Sequence, residues 1–262
     1  MEYANMMTLD IIANQQFIPL PKYTLRALMK QILEGMRAFH SSGLIHSDVK
    51  CNNILLHSPP GSGRVHVKIS DFGLSKKENA ISEKIYVAGT LPYMAKELFQ
   101  EQIIYSQKVD SYAIGVVFFR LVFRKYFLPC KKYKEYKQYF NSSQFDNDPI
   151  KEPPQSIDNI LWDLLSQMLE FDVNKRITAN QALQHPFFTS QEAIGDISTD
   201  QIKLAQSAIV ADFEGDDSIS EFDKDPSFVV AESKLIISSL IKSSIVIICS
   251  NQRIIIARER FA

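Results

Sequence analysis

The stretch that most constrains the fold is the apolar run from Val109 to Phe123, VDSYAIGVVFFRLVF. A helix built from it is apolar on almost every side, which is typical of a helix enclosed by other elements. The run is too short and too interrupted to span a membrane, which takes about 20 apolar residues. The chain has 262 residues, of which 45% are hydrophobic and 23% charged, so it can enclose such a helix in a globular domain.

Amphipathic helices are predicted on both sides of this segment. Between Thr24 and His40, apolar residues recur at the i, i+3, i+4, i+7 spacing of one helix face. Thr24 is a candidate N-cap, and Gly43 lies near the expected end of the helix. A second amphipathic helix is predicted through residues 157–169. A short one is predicted after Thr178, ending before the sequence HPFF.

A β-hairpin is predicted between the first amphipathic helix and the buried one. The β-prone runs Ile54–Leu56 and Val65–Ile69 are separated by HSPPGSGR, whose two prolines and two glycines indicate an extended loop. After an irregular segment, only helices are expected. The predicted fold class is therefore mainly α (α+β), with one small hairpin in a single domain that covers residues 1–189.

The remaining residues, 190–262, form a tail whose function the sequence does not indicate. Residues 212–225, DFEGDDSISEFDKD, are acidic, but the glycine is misplaced for a calcium loop and no glutamate closes one. A solvated acidic linker is the expected structure. The isoleucine-rich sequence beyond it is interrupted by Lys242 and Arg253, which leaves too short a stretch for a spanning helix. A strand pair, or sequence outside the folded protein, is expected there.

Charge and cysteine content narrow the class of protein. A net charge of −1 gives no reason to expect a nucleic-acid partner or an acidic membrane surface. The basic sequence KKYKEYKQYF is expected to be a solvated helix face, with protein docking or nucleic-acid binding as alternatives. Three cysteines without paired spacing favour reduced thiols in the cytoplasm or the nucleus. The first residues lack the basic and apolar regions of a secretory signal.

Three segments carry polar residues within otherwise apolar surroundings. HSDVKCNN contains Asp48, Lys50 and Asn53, ISDFGLSK contains Asp71, and GTLPYMAKE ends at Glu97. In this order and spacing they resemble the catalytic loop, the metal-binding triplet and the end of the activation segment of eukaryotic serine/threonine protein kinases. The resemblance covers residues 1–189. The alternative is a polar loop that caps a hairpin, with Asp71 as a turn residue.

The resemblance implies a role for each matching residue. Asp48 falls on the catalytic aspartate, which accepts or orients the proton of the acceptor hydroxyl, and Lys50 would contact the transferred phosphate. Asn53 and Asp71 would supply oxygen ligands for Mg²⁺. The implied reaction is the transfer of a phosphate from ATP to a serine or threonine hydroxyl of a protein substrate.

Nucleotide contacts are also implied. The first four residues, MEYA, resemble the hinge between the two kinase lobes, so that Glu2 and Ala4 would lie beside the adenine. Leu55 would form part of the apolar floor under the adenine. Asp71 would approach the phosphates through the metal ion.

Residues of the activation segment also match the family, as do two residues that hold it and the catalytic loop in place. Gly73 would allow the sharp turn after the metal ligand. Thr90 resembles the threonine that contacts the catalytic aspartate, and Glu97 closes the segment. Asp110 falls on the aspartate that holds the backbone of the catalytic loop, and Arg176 on the arginine that pairs with Glu97.

Two substitutions depart from the family pattern. Ser47 replaces the arginine of H-R-D, whose usual role is to pair with a phosphate on the activation loop. We therefore expect activity that depends little on phosphorylation of Ser75, Ser82 or Tyr86. Lys96 replaces the proline of A-P-E, which should matter less because the glutamate of that motif is retained.

The third departure is larger. Only 45 residues precede His46, and they contain neither the G-x-G-x-x-G loop nor the V-A-I-K strand of the upper kinase lobe. We interpret the sequence as a truncated form of a protein kinase. The alternative is a catalytically inactive binding or scaffold module. Residues 1–262 alone are expected to show no phosphate transfer, to bind magnesium-ATP weakly and to self-associate through the exposed lobe interface.

Overall fold

The computed structural model describes residues 4–15, 19–82, 89–100, 102–141 and 157–235. Helices predominate in this part of the chain, and the strands are short. The helices are α1 (Leu9–Asn14), α2 (Lys22–His40), α3 (Gln107–Phe123), α4 (Tyr133–Asn141), α5 (Asn159–Leu169), α6 (Ala179–Leu183), α7 (Pro186–Thr189), α8 (Gln191–Gly195), α9 (Thr199–Phe213) and α10 (Glu221–Lys224). The strands are β1 (Leu44–Ile45), β2 (Ile54–His57), β3 (Arg64–Ile69), β4 (Lys76–Lys77), β5 (Ile81–Ser82), β6 (Ile103–Ile104) and β7 (Val230–Ala231).

Helix α3 is the centre of the lobe, as its all-round apolar sequence predicted. It packs against α1, α2 and α5, and 13 of its 17 residues are buried. At Gly115 a β-carbon would lie 3.1 Å from side-chain atoms of Leu169 and Met168, so glycine permits the close approach of α5. In the described part of the chain, no helix combines the length and the apolar character needed to cross a membrane.

Helix α2 follows the predicted stripe, but it starts earlier than expected. Its N-cap is Pro21, whose carbonyl accepts a 2.9 Å hydrogen bond from the N–H of Leu25. Thr24 lies inside the helix and is buried, so its assignment as the cap is wrong. Gly43, just beyond the end of the helix, has a φ of +72° and reverses the chain there.

The predicted hairpin is present and packs against α2. Strands β2 and β3 are antiparallel, with Ile54 opposite Ile69 and His57 opposite His66. This register places the start of β2 and the end of β3 at the same end of the hairpin. The expectation that only helices follow the irregular segment is confirmed for the described residues between 107 and 189; β5 and β6 pair within the irregular segment, and β7 of the tail pairs with β3. The mainly α fold with a small hairpin is confirmed.

The tail packs against the lobe at least as far as Leu235. Strand β7 adds to the edge of the hairpin, with Ala231 opposite Arg64 and Val230 opposite Val65. Within the acidic stretch, Asp223 is only 4% exposed, and its carboxylate lies 3.0 Å from Nε of Arg64. A fully solvated linker over residues 212–225 is therefore the wrong description. The local sequence could not reveal this, because the partner of Asp223 lies in β3. The predicted isoleucine-rich strand pair, beyond residue 235, lies outside the described residues.

Candidate active site

Asp110 fixes the backbone at the start of the loop that contains Asp48. Its carboxylate is fully buried at the first turn of α3 and accepts hydrogen bonds from the N–H of His46 (2.7 Å) and of Ser47 (2.8 Å). The ring of His40 donates a third at 2.9 Å. Ser47 has a φ of +66°, a left-handed conformation that is unfavourable for most residues other than glycine. The two backbone bonds to a buried carboxylate stabilise that conformation.

Three polar side chains donate hydrogen bonds to Asp48. Nζ of Lys50 donates to its Oδ2 at 2.6 Å, and the hydroxyl of Thr90 donates to its Oδ1 at 2.9 Å. The side-chain amide of Asn53 donates to the Asp48 carbonyl at 2.9 Å and to Oδ2 at 3.2 Å. Asp48 is 7% exposed, and these bonds fix the orientation of its carboxylate.

Asn53 and Asp71 lie at the same end of the hairpin. The N–H and hydroxyl of Ser70, which precedes Asp71, donate to the carbonyl of Asn53 at 2.9 and 3.0 Å. His46 links this end to the catalytic loop: its Nε2–H donates to the Ser70 carbonyl at 3.1 Å, and its Nδ1 accepts from the N–H of Asp48 at 3.3 Å. The catalytic loop and the segment containing Asp71 are thus joined by hydrogen bonds.

Asp71 begins a tight turn. It has φ +67° and ψ +64°, in the left-handed region that aspartate tolerates better than most residues, and its side chain is exposed. Phe72, which is 48% exposed, stacks on Phe39 of α2 with ring centroids 5.2 Å apart. At Gly73 a β-carbon would lie 3.4 Å from Oδ1 of Asp71, an ordinary contact, so the structure does not require glycine there.

The end of the activation segment is fixed by a buried ion pair. The guanidinium of Arg176 contacts both carboxylate oxygens of Glu97, at 2.6 and 3.1 Å, and donates to the carbonyls of Glu170 and Lys108. The Arg176 side chain is fully buried. Lys96, the residue that replaces proline, leaves this pair intact.

Gly89, at the start of the segment 89–97, allows that segment to approach the catalytic loop closely. It has a φ of +121°, and a β-carbon would come within 3.1 Å of the carbonyl oxygen of Ser47. Only glycine combines this conformation with such a close approach. The backbone before Thr90 can therefore lie directly against the catalytic loop.

Sequence reasoning missed Arg120, the only arginine within the buried helix α3. Its guanidinium donates to Asp10 and Asn14 of α1 at 2.9 Å each, and to the hydroxyl of Tyr93 in the activation segment. Burial raises the pKa of the Tyr93 phenol. A charged residue inside an otherwise apolar helix was the available signal, since a buried guanidinium requires partners.

The implied nucleotide contacts are described only in part. Glu2 lies outside the described residues. Ala4 is half-buried, and the chain just after it runs along β2: Met6 N–H donates to the Leu56 carbonyl and Leu56 N–H to the Met7 carbonyl, at 3.2 Å each. This pairing places the segment beside Leu55, which is half-buried and bridges Thr8. Ala4 and Leu55 are thus in neighbouring segments.

The side-chain oxygens of Asn53 and Asp71, at the end of the hairpin, suit a cation that also binds phosphate and water. Among the described residues, no group of three or more His, Cys, Asp or Glu side chains could hold a metal by itself. Because the amide nitrogen of Asn53 faces Asp48, the amide oxygen is the atom left for a cation. One such oxygen and the exposed carboxylate of Asp71 fit Mg²⁺, which usually takes one or two protein ligands and fills its octahedron with phosphate and water.

A helical lobe with a polar loop held at the end of a hairpin defines a kinase-like fold. The family model described as protein kinase domain matches residues 1–188. The chain therefore belongs to the protein kinase family.

Curated relatives are serine/threonine protein kinases and related catalytic chains. The liver/testis isoform of the phosphorylase b kinase gamma catalytic chain from Mus musculus is 31% identical, over 62% of this chain and 40% of its own length. The probable serine/threonine-protein kinase fhkC from Dictyostelium discoideum is 34% identical, over 64% of this chain and 28% of its own. Serine/threonine-protein kinase cds1 from Schizosaccharomyces pombe is 30% identical, over 62% of this chain and 35% of its own length. The chain thus spans between about a quarter and two fifths of the length of these relatives.

Proposed function

We propose that residues 1–189 are the catalytic lobe of an enzyme that transfers the γ-phosphate of ATP to serine or threonine hydroxyls of protein substrates. The observation that carries this proposal is the arrangement around Asp48, whose two carboxylate oxygens accept hydrogen bonds from Lys50 and Thr90. A polar loop that merely capped a hairpin would not need a nearly buried carboxylate with a lysine beside it. Residues 190–262 are proposed to lie outside the catalytic domain.

Asp48 would act on the acceptor. As the acceptor oxygen bonds to the γ-phosphorus and the bond from that phosphorus to the ADP oxygen breaks, the hydroxyl proton passes to Asp48. Thr90 and Asn53 hold the carboxylate in one orientation, which saves the cost of ordering it during the reaction. Nζ of Lys50 lies 2.6 Å from the same carboxylate, where it could also neutralise charge on the transferred phosphate.

Asn53 and Asp71 are proposed to hold the magnesium ion that accompanies ATP. Bound there, the ion would neutralise phosphate charge. The bonds from Ser70 and His46 keep the two ligand-bearing segments together before a nucleotide arrives. Ala4, Leu55 and Glu2 are proposed to line the adenine site.

The test compares two substitutions in a polypeptide that is extended at its amino end by the family's glycine-rich loop and strand lysine. We expect Asp48→Asn to abolish radiolabel transfer to a serine peptide while nucleotide affinity stays within about twofold, because Asp48 acts on the acceptor. Asp71→Asn should lower both transfer and magnesium-dependent nucleotide affinity. Asp163→Asn, an exposed carboxylate on α5, is the matched control. Wild-type rates in both site variants would contradict the assignment. Nucleotide binding without any transfer by the parent would favour a binding module.

The 262-residue polypeptide by itself is proposed to be inactive, because its sequence lacks the glycine-rich loop and the strand lysine. Losing one pre-organised donor at a site of developing charge can cost about 10²–10³ in rate, and several are involved here. Thermal-shift titration should show weak magnesium-ATP binding, and sedimentation should show self-association. Asp48-dependent transfer by this polypeptide would contradict the proposal.

A reducing compartment, the cytoplasm or the nucleus, is proposed for the protein. Cys51 and Cys130 carry free thiols, and burial raises the pKa of the Cys51 thiol. Imaging of the tagged protein would test the location, and enrichment in the secretory pathway would contradict it.

A further inference from the structure

Three segments of the lobe meet the central helix α3 at the guanidinium of Arg120. Helix α1 contributes Asp10 and Asn14, which accept hydrogen bonds from it at 2.9 Å each. The activation segment contributes the hydroxyl of Tyr93, which accepts a third at 2.5 Å. The catalytic loop contributes Cys51, whose thiol interacts with both the Tyr93 hydroxyl and the guanidinium. A single side chain of α3 thus links α1, the activation segment and the catalytic loop.

The position of Arg120 inside the lobe makes these partners necessary. Its side chain is only 5% exposed, and a guanidinium removed from water needs acceptors for its N–H donors. Asp10 supplies the opposite charge, and Cζ of Arg120 lies 4.4 Å from the ring centroid of Tyr126. Because the five donors lie in one rigid plane, they fix the direction of each partner as well as its distance. An apolar side chain at this position would fill the space without linking the segments.

Tyr93 connects this cluster to one side of the catalytic carboxylate. Its N–H donates to the carbonyl of Thr90 at 2.9 Å, within the same short turn. The hydroxyl of Thr90 donates in turn to Oδ1 of Asp48 at 2.9 Å and accepts from Nζ of Lys50 at 3.0 Å. A shift of Tyr93 would therefore move Thr90 away from the carboxylate.

Cys51 connects the cluster to the other side of the carboxylate. It is fully buried and begins the short turn that ends at Asn53. The side-chain amide of Asn53 donates to Oδ2 of Asp48 at 3.2 Å. The two turns that orient the carboxylate thus each have a residue in contact with Arg120.

We propose that Arg120 is a positioning residue for Asp48. By holding Tyr93 and Cys51, its guanidinium keeps both turns against the catalytic carboxylate, which then faces the acceptor hydroxyl. A displacement of about 1 Å at a reacting group can cost about 10² in rate, so a residue that does not touch the substrate can control turnover. The inference rests on the proposed function, because it assigns a role in the same site.

Steady-state kinetics of the amino-terminally extended polypeptide test this role. Arg120→Met removes the donors but keeps a long apolar side chain, and we expect kcat for a serine peptide to fall at least about tenfold. The KM for ATP should change less than about threefold. The reason is that α1 keeps its buried Leu9 and Ile12, and the Ile12 carbonyl still accepts a 2.7 Å hydrogen bond from Arg124.

Arg26→Met is the matched control. Arg26 is also a nearly buried arginine, whose Nε donates to the carbonyl of Phe187 at 2.8 Å and whose guanidinium pairs with Asp196. These partners lie in α7 and just after α8, outside the segments that surround the catalytic carboxylate. Urea titration should show that both substitutions lower stability, but Arg26→Met should leave kcat within about twofold of the parent.

Hydrogen exchange of the 262-residue chain tests the same link without any activity. We expect Arg120→Met to speed the exchange of amides in residues 89–97 at least about tenfold, because the turn that contains Tyr93 is no longer held. Tyr93→Phe removes only the hydroxyl and should speed it by a smaller factor. Arg26→Met should leave exchange in residues 89–97 unchanged.

The inference and the proposed function can fail separately. An active parent whose kcat is unchanged in Arg120→Met would overturn the inference and leave the proposed function standing. Equal losses of kcat in Arg120→Met and Arg26→Met would also overturn it, since they would reflect stability alone. A parent without phosphate transfer would contradict the proposed function, and unchanged exchange in residues 89–97 would then overturn the inference on its own. If Arg120→Met does not fold, Tyr93→Phe decides: kcat should fall at least about threefold, and an unchanged value would overturn the inference.

Discussion

The N–H of Ser47 donates a 2.8 Å hydrogen bond to Oδ1 of Asp110, 63 residues further along the chain. This bond and its neighbour from His46 hold Ser47 in a left-handed conformation one residue before Asp48. The hydroxyl of Ser47 is buried and has no hydrogen-bond partner among the described residues. The backbone of Ser47, and not its side chain, is therefore what ties the catalytic loop to α3.

Removal of the Asp110 carboxylate should lower the free energy of unfolding of the lobe. Asp110→Ala leaves the buried N–H groups of His46 and Ser47 unpaired, at about 1–3 kcal/mol for each. We expect the free energy of unfolding to fall by about 3–5 kcal/mol in urea titration. Asp217→Ala, which removes an exposed carboxylate, should cost less than about 1 kcal/mol. Similar values for the two variants would show that the bonds to Asp110 are not stabilising.

The ion pair between Glu97 and Arg176 should be strongly coupled. Arg176→Met leaves the mostly buried Glu97 carboxylate without its partner, and we expect a loss of about 3–5 kcal/mol in the free energy of unfolding. Glu97→Gln in addition should restore part of that loss. A double-mutant cycle measured by chemical denaturation gives the coupling energy. Additive effects of the two substitutions would contradict a direct interaction.

Acid should loosen the attachment of the tail through Asp223. Burial opposes ionisation of this carboxyl, but hydrogen bonds from His66 and Ser220 outweigh it and hold its pKa well below the usual range. Because the folded-state pKa is depressed, the stabilisation is present above about pH 4, the unfolded value, and is lost as the pH falls below it. Asp223→Asn should lower stability at neutral pH and make the decline below about pH 4 shallower.

Unfolding midpoints between pH 7 and pH 2.5 measure this effect. Asp172→Asn, which changes a carboxylate with 43% of its side chain exposed, serves as the control and should leave the acid limb of the curve unchanged. An unchanged acid limb for Asp223→Asn would mean that this carboxyl does not control the acid sensitivity.

Activity of the amino-terminally extended enzyme should depend little on phosphate on the activation segment. Ser47 provides no guanidinium for a phosphate to pair with. The hydroxyl of Ser75 is buried in the described structure, while Tyr86 lies outside the described residues and the side chain of Ser82 is not described. Phosphatase treatment should therefore leave most of the phosphate transfer intact. A large loss that rephosphorylation reverses would contradict this prediction.

Local sequence patterns were sufficient to predict the principal helices and the hairpin. The periodicity of α2, the all-round apolar sequence of α3 and the turn residues between β2 and β3 each report on contacts within a few residues. Periodicity says which face of an element is buried, and turn chemistry says where the chain reverses. The expectation that Asp48, Asn53 and Asp71 lie together came from the resemblance of their motifs to protein kinases.

Only the tertiary structure decided which buried charges meet. The partners of Arg120 lie in α1 and in the activation segment, and the partner of Asp223 lies in β3, so that a stretch expected to be a solvated linker packs against the hairpin. Such pairs are separated by up to about 160 residues, and no periodic signal connects them. A buried charge has to find an opposite charge or a hydrogen-bond partner, but the identity of that partner depends on how the elements pack.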